Sequence, residues 1–129
     1  MRIVLLALVL STAACGASAT QAPPAQRGST LEVVVANQQS ASASLLQPDG
    51  TMKHVQVGAG PHQAAVSPDA RTAVVTVYGV GGAPGNQLAV IDLVRDSVMR
   101  TIDLGQYTRP HGAAFLGNSN DRVALTSET

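Results

Sequence analysis

One short pattern occurs twice in the sequence, and that repetition restricts the chain to few folds. The first copy runs Gly60-Pro61-His62-Gln63-Ala64-Ala65-Val66-Ser67-Pro68-Asp69 and leads into the apolar run Thr72-Ala73-Val74-Val75-Thr76-Val77-Tyr78-Gly79. The second is Arg109-Pro110-His111-Gly112-Ala113-Ala114-Phe115, followed by Arg122-Val123-Ala124-Leu125-Thr126-Ser127. The two histidines stand 49 residues apart, at 62 and 111, a period within the repeat lengths of blade-type β architectures. Such a unit cannot bury its apolar face alone and has to stack on its neighbours.

Turn chemistry divides the chain into short strands from Thr30 onward, and no stretch holds a helical period over three turns. Leu31–Ala36, Ala43–Leu46 and Met52–Val57 read as strands, with a tight turn at Pro48-Asp49-Gly50, where Pro presets φ and Gly accepts a positive one. A second pass gives His62–Val66, Thr72–Tyr78, Leu88–Leu93 and Val98–Leu104, with turns at Ser67-Pro68-Asp69 and Arg95-Asp96-Ser97 and a glycine-rich loop over Val80–Asn86. A third begins at His111 and reaches a strand at Arg122–Thr126. The strand Ala73–Val77 is apolar throughout rather than alternating, so both its faces should be covered.

Composition agrees with strands and excludes one class of function. With no Trp, one Phe and two Tyr, the core falls to Val, Leu, Ile and Ala, whose branched members suit a pleated surface. Eight basic and eight acidic residues cancel, and Arg71, Arg95, Arg100, Arg109 and Arg122 are scattered, which removes the basic footprint of a nucleic-acid binder.

The N-terminus reads as a targeting segment. Arg2 is a minimal positive region, Ile3–Leu10 is an apolar stretch too short to span a bilayer, and small residues follow up to Cys15, the single cysteine. Residues 1–14 are read as a signal peptide. Residues 15–29, rich in Ala, Ser, Gln, Pro and Gly, are read as a disordered tether, because they cannot bury enough to order themselves. Cys15 follows Ala13-Ala14 in a setting that resembles the lipobox of bacterial lipoproteins, although Thr12 stands where that pattern prefers Leu. The resemblance implies lipidation at Cys15 and a membrane anchor. The alternative is ordinary cleavage after Ala19, and both readings imply export.

Pro-His-(Gln/Gly)-Ala-Ala-(Val/Phe), Ser-Pro-Asp, Val-Val-Thr-Val-Tyr-Gly and Leu-Ala-Val-Ile-Asp-Leu together resemble the YVTN-type β-propeller repeat of bacterial and archaeal surface and periplasmic proteins, relatives of the lactonase-like propellers. The tetrapeptide itself reads Val34-Val35-Ala36-Asn37, Val74-Val75-Thr76-Val77 and Ala124-Leu125-Thr126-Ser127, and the last pass has Gly117-Asn118-Ser119-Asn120-Asp121 in place of Ser-Pro-Asp. The implied fold is all-β: residues 30–129 as about two four-stranded antiparallel blades of an incomplete propeller. At about 45 residues per blade and roughly four to eight blades per ring, the expectation is an N-terminal part of a chain of about 300 residues or more.

Up-down counting places Gly58–His62, Gln106–His111 and Val80–Asn86 at one end of the blades, with His62 and His111 near the rim of a central channel. Neutral imidazole suits acid–base work or metal binding. Two histidines without a carboxylate at comparable spacing make a poor ligand set, so the pair is read as part of the repeat, each imidazole hydrogen-bonding a neighbouring loop. No metal, cofactor or catalytic residue is assigned. Val80–Asn86 lacks the Lys of a phosphate cradle, and Asp69, Asp92 and Asp96 read as turn or edge residues. The functional expectation is an exported, lipid-anchored binding scaffold at the cell envelope, taking a protein or small-molecule ligand on the propeller face. The alternatives are a lactonase-like or gluconolactonase-like hydrolase and a subunit of a periplasmic redox enzyme.

Overall fold

The computed structural model describes residues 33–129. The segments read as signal peptide and tether, with Cys15, lie outside the described residues.

Among the described residues, nine strands follow one another in the order β1 (Val33–Asn37), β2 (Ser42–Leu46), β3 (Met52–Gln56), β4 (Pro61–Val66), β5 (Thr72–Val80), β6 (Ala83–Asp92), β7 (Ser97–Asp103), β8 (Pro110–Phe115) and β9 (Val123–Ser127). A single 3-10 turn, Gln38–Ser40, joins β1 to β2. The strands form three antiparallel sheets in sequence order: sheet I is β1-β2-β3, sheet II is β4-β5-β6-β7, and sheet III is β8-β9. The described residues are therefore all-β.

The sheets lie face to face, and the alternation of side chains along each strand decides which residues meet. Val34, Ala36, Ala43, Leu45 and Val55 of sheet I pack on Ala73, Val75, Val77, Ala89 and Ile91 of sheet II. The opposite face of sheet II, with Val74, Leu88 and Val90, meets Ala113, Phe115, Val123 and Leu125 of sheet III. Strand β5 contributes to both cores, so its uninterrupted apolar run reflects burial on two sides.

Aspartates close the turns, as the Pro-Asp and Asp-Gly signals predict. Asp49 accepts from Thr51 N–H at 2.8 Å, and Asp69 accepts from the Ser67 hydroxyl at 2.7 Å and from Arg71 N–H at 3.1 Å. Ser119 and Asp121 repeat the hydroxyl–carboxylate pair two residues apart at 2.5 Å, so the loop that departs from Ser-Pro-Asp restores its bonding. Between β6 and β7 the anchor is Asp92, which takes Val94 N–H, Arg95 N–H and the Arg95 guanidinium. Asp96 instead crosses to sheet I, where Lys53 lies 2.5 Å away.

The stretch Val80–Asn86 differs from the loop expected there. β5 runs on to Val80 and β6 starts at Ala83, leaving a turn of only Gly81-Gly82. Glycine allows this. The pairing shifts between Val77 and Gly79, and a Cβ at Gly79, whose φ is +93°, would lie 2.2 Å from the Gly85 nitrogen. The two backbones approach more closely than any side chain permits.

Two outcomes test this packing. Leu45→Ala and Ile91→Ala, at fully buried positions on either side of the first core, should each cost about 2–5 kcal/mol in urea denaturation. Acid should also weaken the fold. Burial of Asp92 opposes its charge, but the hydrogen bonds from Arg95 and Val94 outweigh it and hold the carboxyl below its ordinary value. The Thr51 N–H at Asp49 and the Ser67 hydroxyl at Asp69 act in the same direction. A depressed folded-state pKa gives stability that is complete above the unfolded value of about 3.9 and is lost as pH falls through the folded one. Denaturation midpoints should therefore drop below about pH 4, and less steeply in Asp92→Asn.

Candidate functional site

The site grows from a backbone irregularity that both repeats share. Pairing between β4 and β5 shifts between Pro61 and Ala64, and pairing between β8 and β9 shifts between Pro110 and Ala113. Proline has no N–H to give a ladder, and each stands where that is tolerated, as the first residue of an edge strand, with the shift following it. The amide one residue beyond each histidine leaves the ladder and bonds to a threonine on the adjacent strand. Gln63 N–H donates to Thr76 Oγ1 at 3.0 Å, and Gly112 N–H donates to Thr126 Oγ1 at 2.8 Å. Each histidine is thus held between a buried proline and an anchored amide.

Thr76 also joins the sheets. Its hydroxyl has one proton and two lone pairs. While one lone pair takes Gln63 N–H, the proton faces the His111 carbonyl at 3.1 Å, with the Gln63 carbonyl at 3.3 Å as the competing acceptor. Gln63 adds a second link, its side-chain amide donating to the Ala113 carbonyl at 3.2 Å. Strands β4 and β8 therefore lie side by side with their bulges in step.

That alignment brings the two imidazoles together. The ring centroids of His62 and His111 are 4.0 Å apart with planes inclined at 44°. Tyr78 flanks them, 5.3 Å from His62 and 6.0 Å from His111. The Arg109 guanidinium sits 4.9 Å from the centre of the Tyr78 ring and donates to the Gly81 carbonyl at 2.9 Å. The Tyr78 hydroxyl lies 2.8 Å from both carboxylate oxygens of Glu128, and Glu128 N–H meets the Arg109 carbonyl at 3.3 Å. Five side chains, from sheets II and III and from the residues before β8 and after β9, form one exposed to half-buried cluster that includes a guanidinium and a carboxylate.

The segment before β4 and the residue before β8 reach this end as the counting argument expects. Tyr78 N–H bonds to the Gly60 carbonyl, Gly79 N–H to Ala59, and Arg109 N–H to Gly85. The residue preceding Pro-His is left-handed in both copies, with φ of +65° at Gly60 and +52° at Arg109. A Cβ at Gly60 would lie 2.1 Å from the Gly79 carbonyl oxygen, so only glycine fits. Arg109 holds the same twist with a long side chain, at a cost of about 1–2 kcal/mol.

Of the residues singled out from sequence, His62 and His111 come into contact, while Asp69, Asp92 and Asp96 stay in turns away from them. The expectation that each imidazole hydrogen-bonds a neighbouring loop is corrected. Among the described residues neither ring makes a hydrogen bond; the bulges are bonded through the Gln63 and Gly112 amides and the Thr76 and Thr126 hydroxyls. No group of three or more His, Cys, Asp or Glu converges on a common point among the described residues. Sequence reasoning missed Tyr78, Arg109 and Glu128. The available signal was at 109, where one copy of the repeat has arginine and the other glycine.

No family model matches the chain, and no curated protein matches it. Solved structures do resemble it, among them Kuenenia stuttgartiensis hydrazine synthase, at 25% identity and a TM-score of 0.56. The similarity covers 76% of this chain and 31% of that one, so the chain spans about a third of the length of that neighbour.

The two threonines should differ in what they contribute. Thr76→Val strands a part-buried amide and the His111 carbonyl, and should cost about 1–3 kcal/mol in chemical denaturation. Thr126→Val, at an exposed position where water replaces the hydroxyl, should cost under about 1 kcal/mol. Equal losses would mean that the bridge from Thr76 to the next sheet contributes nothing.

Proposed function

We propose that the three sheets are consecutive blades of a YVTN-type β-propeller, and that the protein is an exported, lipid-anchored scaffold which binds its ligand at the end carrying His62 and His111. The observation that carries this reading is the in-step packing of β4 beside β8, two copies of one strand that lie next to each other at the start of successive sheets. In this reading sheet II is a whole blade, sheet I supplies the second to fourth strands of another, and sheet III the first two of a third. Val34 and Ala36 face sheet II in the way Val74 and Thr76 face sheet III, which supports matching β1 with β5.

The uncovered part of sheet II agrees with further strands beside β9. A groove of roughly 380 Å³ opens where sheet III has two strands against four, lined by Val74, Leu88, Val90, Met99, Phe115 and Leu125. A third strand on β9 would cover it as Ala89 and Ile91 of sheet II cover the face of sheet I. A second reading, a propeller that forms part of an enzyme, is favoured by the likeness to a protein named as a synthase. No residue is carried over from it.

Two measurements test the proposal. A structure of the product of the whole reading frame should show a strand hydrogen-bonded to the free edge of β9 and the sheets arranged around an axis. An open stack, or a helix against the groove, would overturn the propeller. Fractionation of the producing cells should place the chain in the membrane, and Cys15→Ala should release it. Unchanged retention of the variant would overturn the anchor.

A further inference from the structure

The sheet packing gives His62 and His111 an arrangement that has chemical use whether or not a ring forms. Neutral imidazole keeps a lone pair on one ring nitrogen. Among the described residues these rings spend no nitrogen on a protein hydrogen bond. By contrast, His54 is engaged, its Nδ1 lying 3.0 Å from the Ser44 hydroxyl.

We propose that His62 and His111 together form a binding site for one divalent transition-metal ion of the group that favours imidazole, Cu²⁺ first and Ni²⁺ and Zn²⁺ after it. Metal–imidazole bonds are about 2.0–2.1 Å, so two rings on one ion place their ligating nitrogens about 3–4 Å apart. Each ring centre lies about 1 Å beyond its nitrogen, so a cis pair on one ion has centroids about 4.5–5 Å apart; the tilted stack at 4.0 Å reaches this by a small rotation of the two exposed side chains. The backbone is preorganised for it, since Pro61 and Pro110 are fully buried and the Thr76 and Thr126 hydroxyls fix the next amide on each strand. The two strands cannot slide apart without breaking the bonds from Thr76 to the His111 carbonyl and from Gln63 to the Ala113 carbonyl.

The surrounding charge tolerates a cation. The Arg109 guanidinium is drawn to the Tyr78 ring and the Gly81 carbonyl, and the Glu128 carboxylate on the Tyr78 hydroxyl balances it. Two protein ligands leave the remaining coordination positions to water or to an exogenous group. Such a site is open rather than structural. The inference rests on the described geometry alone, and its failure would leave the propeller and anchor proposals standing.

The test is a Cu²⁺ titration of the full chain followed by electron paramagnetic resonance, run in parallel on a Cys15→Ser chain to remove the competing thiol. One ion per Cys15→Ser chain with nitrogen hyperfine structure from two imidazoles is expected. His62→Ala and His111→Ala should each weaken binding by about 10–100-fold, no less than the loss of an outer-shell partner, and His54→Ala should leave it unchanged. His62→Gln, which keeps much of the side-chain volume, should behave as His62→Ala while circular dichroism stays that of the parent. Zn²⁺ should raise the melting temperature of the parent and of neither single variant, because only the folded chain holds both rings together. Affinity and spectrum unchanged in His62→Ala and His111→Ala, or a spectrum without two imidazoles, would overturn the site.

Discussion

The hydroxyl of Thr76 is the bond on which the arrangement turns. It is fully buried, takes the Gln63 amide at the bulge after Pro61, and faces a carbonyl of the next sheet. The bulge after Pro61 would otherwise leave a part-buried donor without a protein partner, which costs about 1–3 kcal/mol. One side chain thus completes the hydrogen bonding of its own sheet and sets the position of its neighbour. Serine alone shares that donor–acceptor chemistry with so short a reach, and valine, similar in shape, has none of it. At the corresponding position of sheet I stands Ala36, which carries no hydroxyl, and at that point sheets I and II meet through apolar packing instead.

The two faces of sheet I show how packing and polarity divide the work. The face toward sheet II is Val34, Ala36, Ala43, Leu45 and Val55. The opposite face has Asn37 donating to Ser44 at 2.7 Å, Ser44 bonded to His54, and Ser40 bonded to Ser42 at 2.8 Å, beside half-exposed Val33 and Val35. A polar outer face is how stacked repeats limit their exposure to water. In a ring, that face would meet its neighbour through hydrogen bonds rather than an apolar core. Where sheet I meets sheet II, Lys53 and Asp96 add an ion pair in which Lys53 is half exposed, worth at most about 1 kcal/mol.

Much of this was legible in the residues. Strand positions followed from turn chemistry, and the burial of β5 on two faces followed from its unbroken run of apolar residues. The extent of β5 and β6 was not legible, because glycines that usually mark a loop here allow two backbones to close into a hairpin; only the close approach at Gly79 distinguishes the cases. The site was half legible. Repetition pointed to His62 and His111, but the distance between their rings depends on how two sheets stack, and a period does not encode that. Tyr78 and Glu128 lie 50 residues apart in sequence and meet only because the end of β9 returns beside Arg109.

The most direct measurement of the central claim is hydrogen exchange at the Gln63 amide. If the Thr76 hydroxyl completes the bulge and holds the sheets in step, this amide exchanges as slowly as the ladder amides of β5, and Thr76→Val frees it while leaving Val75 protected. Fast exchange in the parent protein, or protection that survives the substitution, would contradict the account.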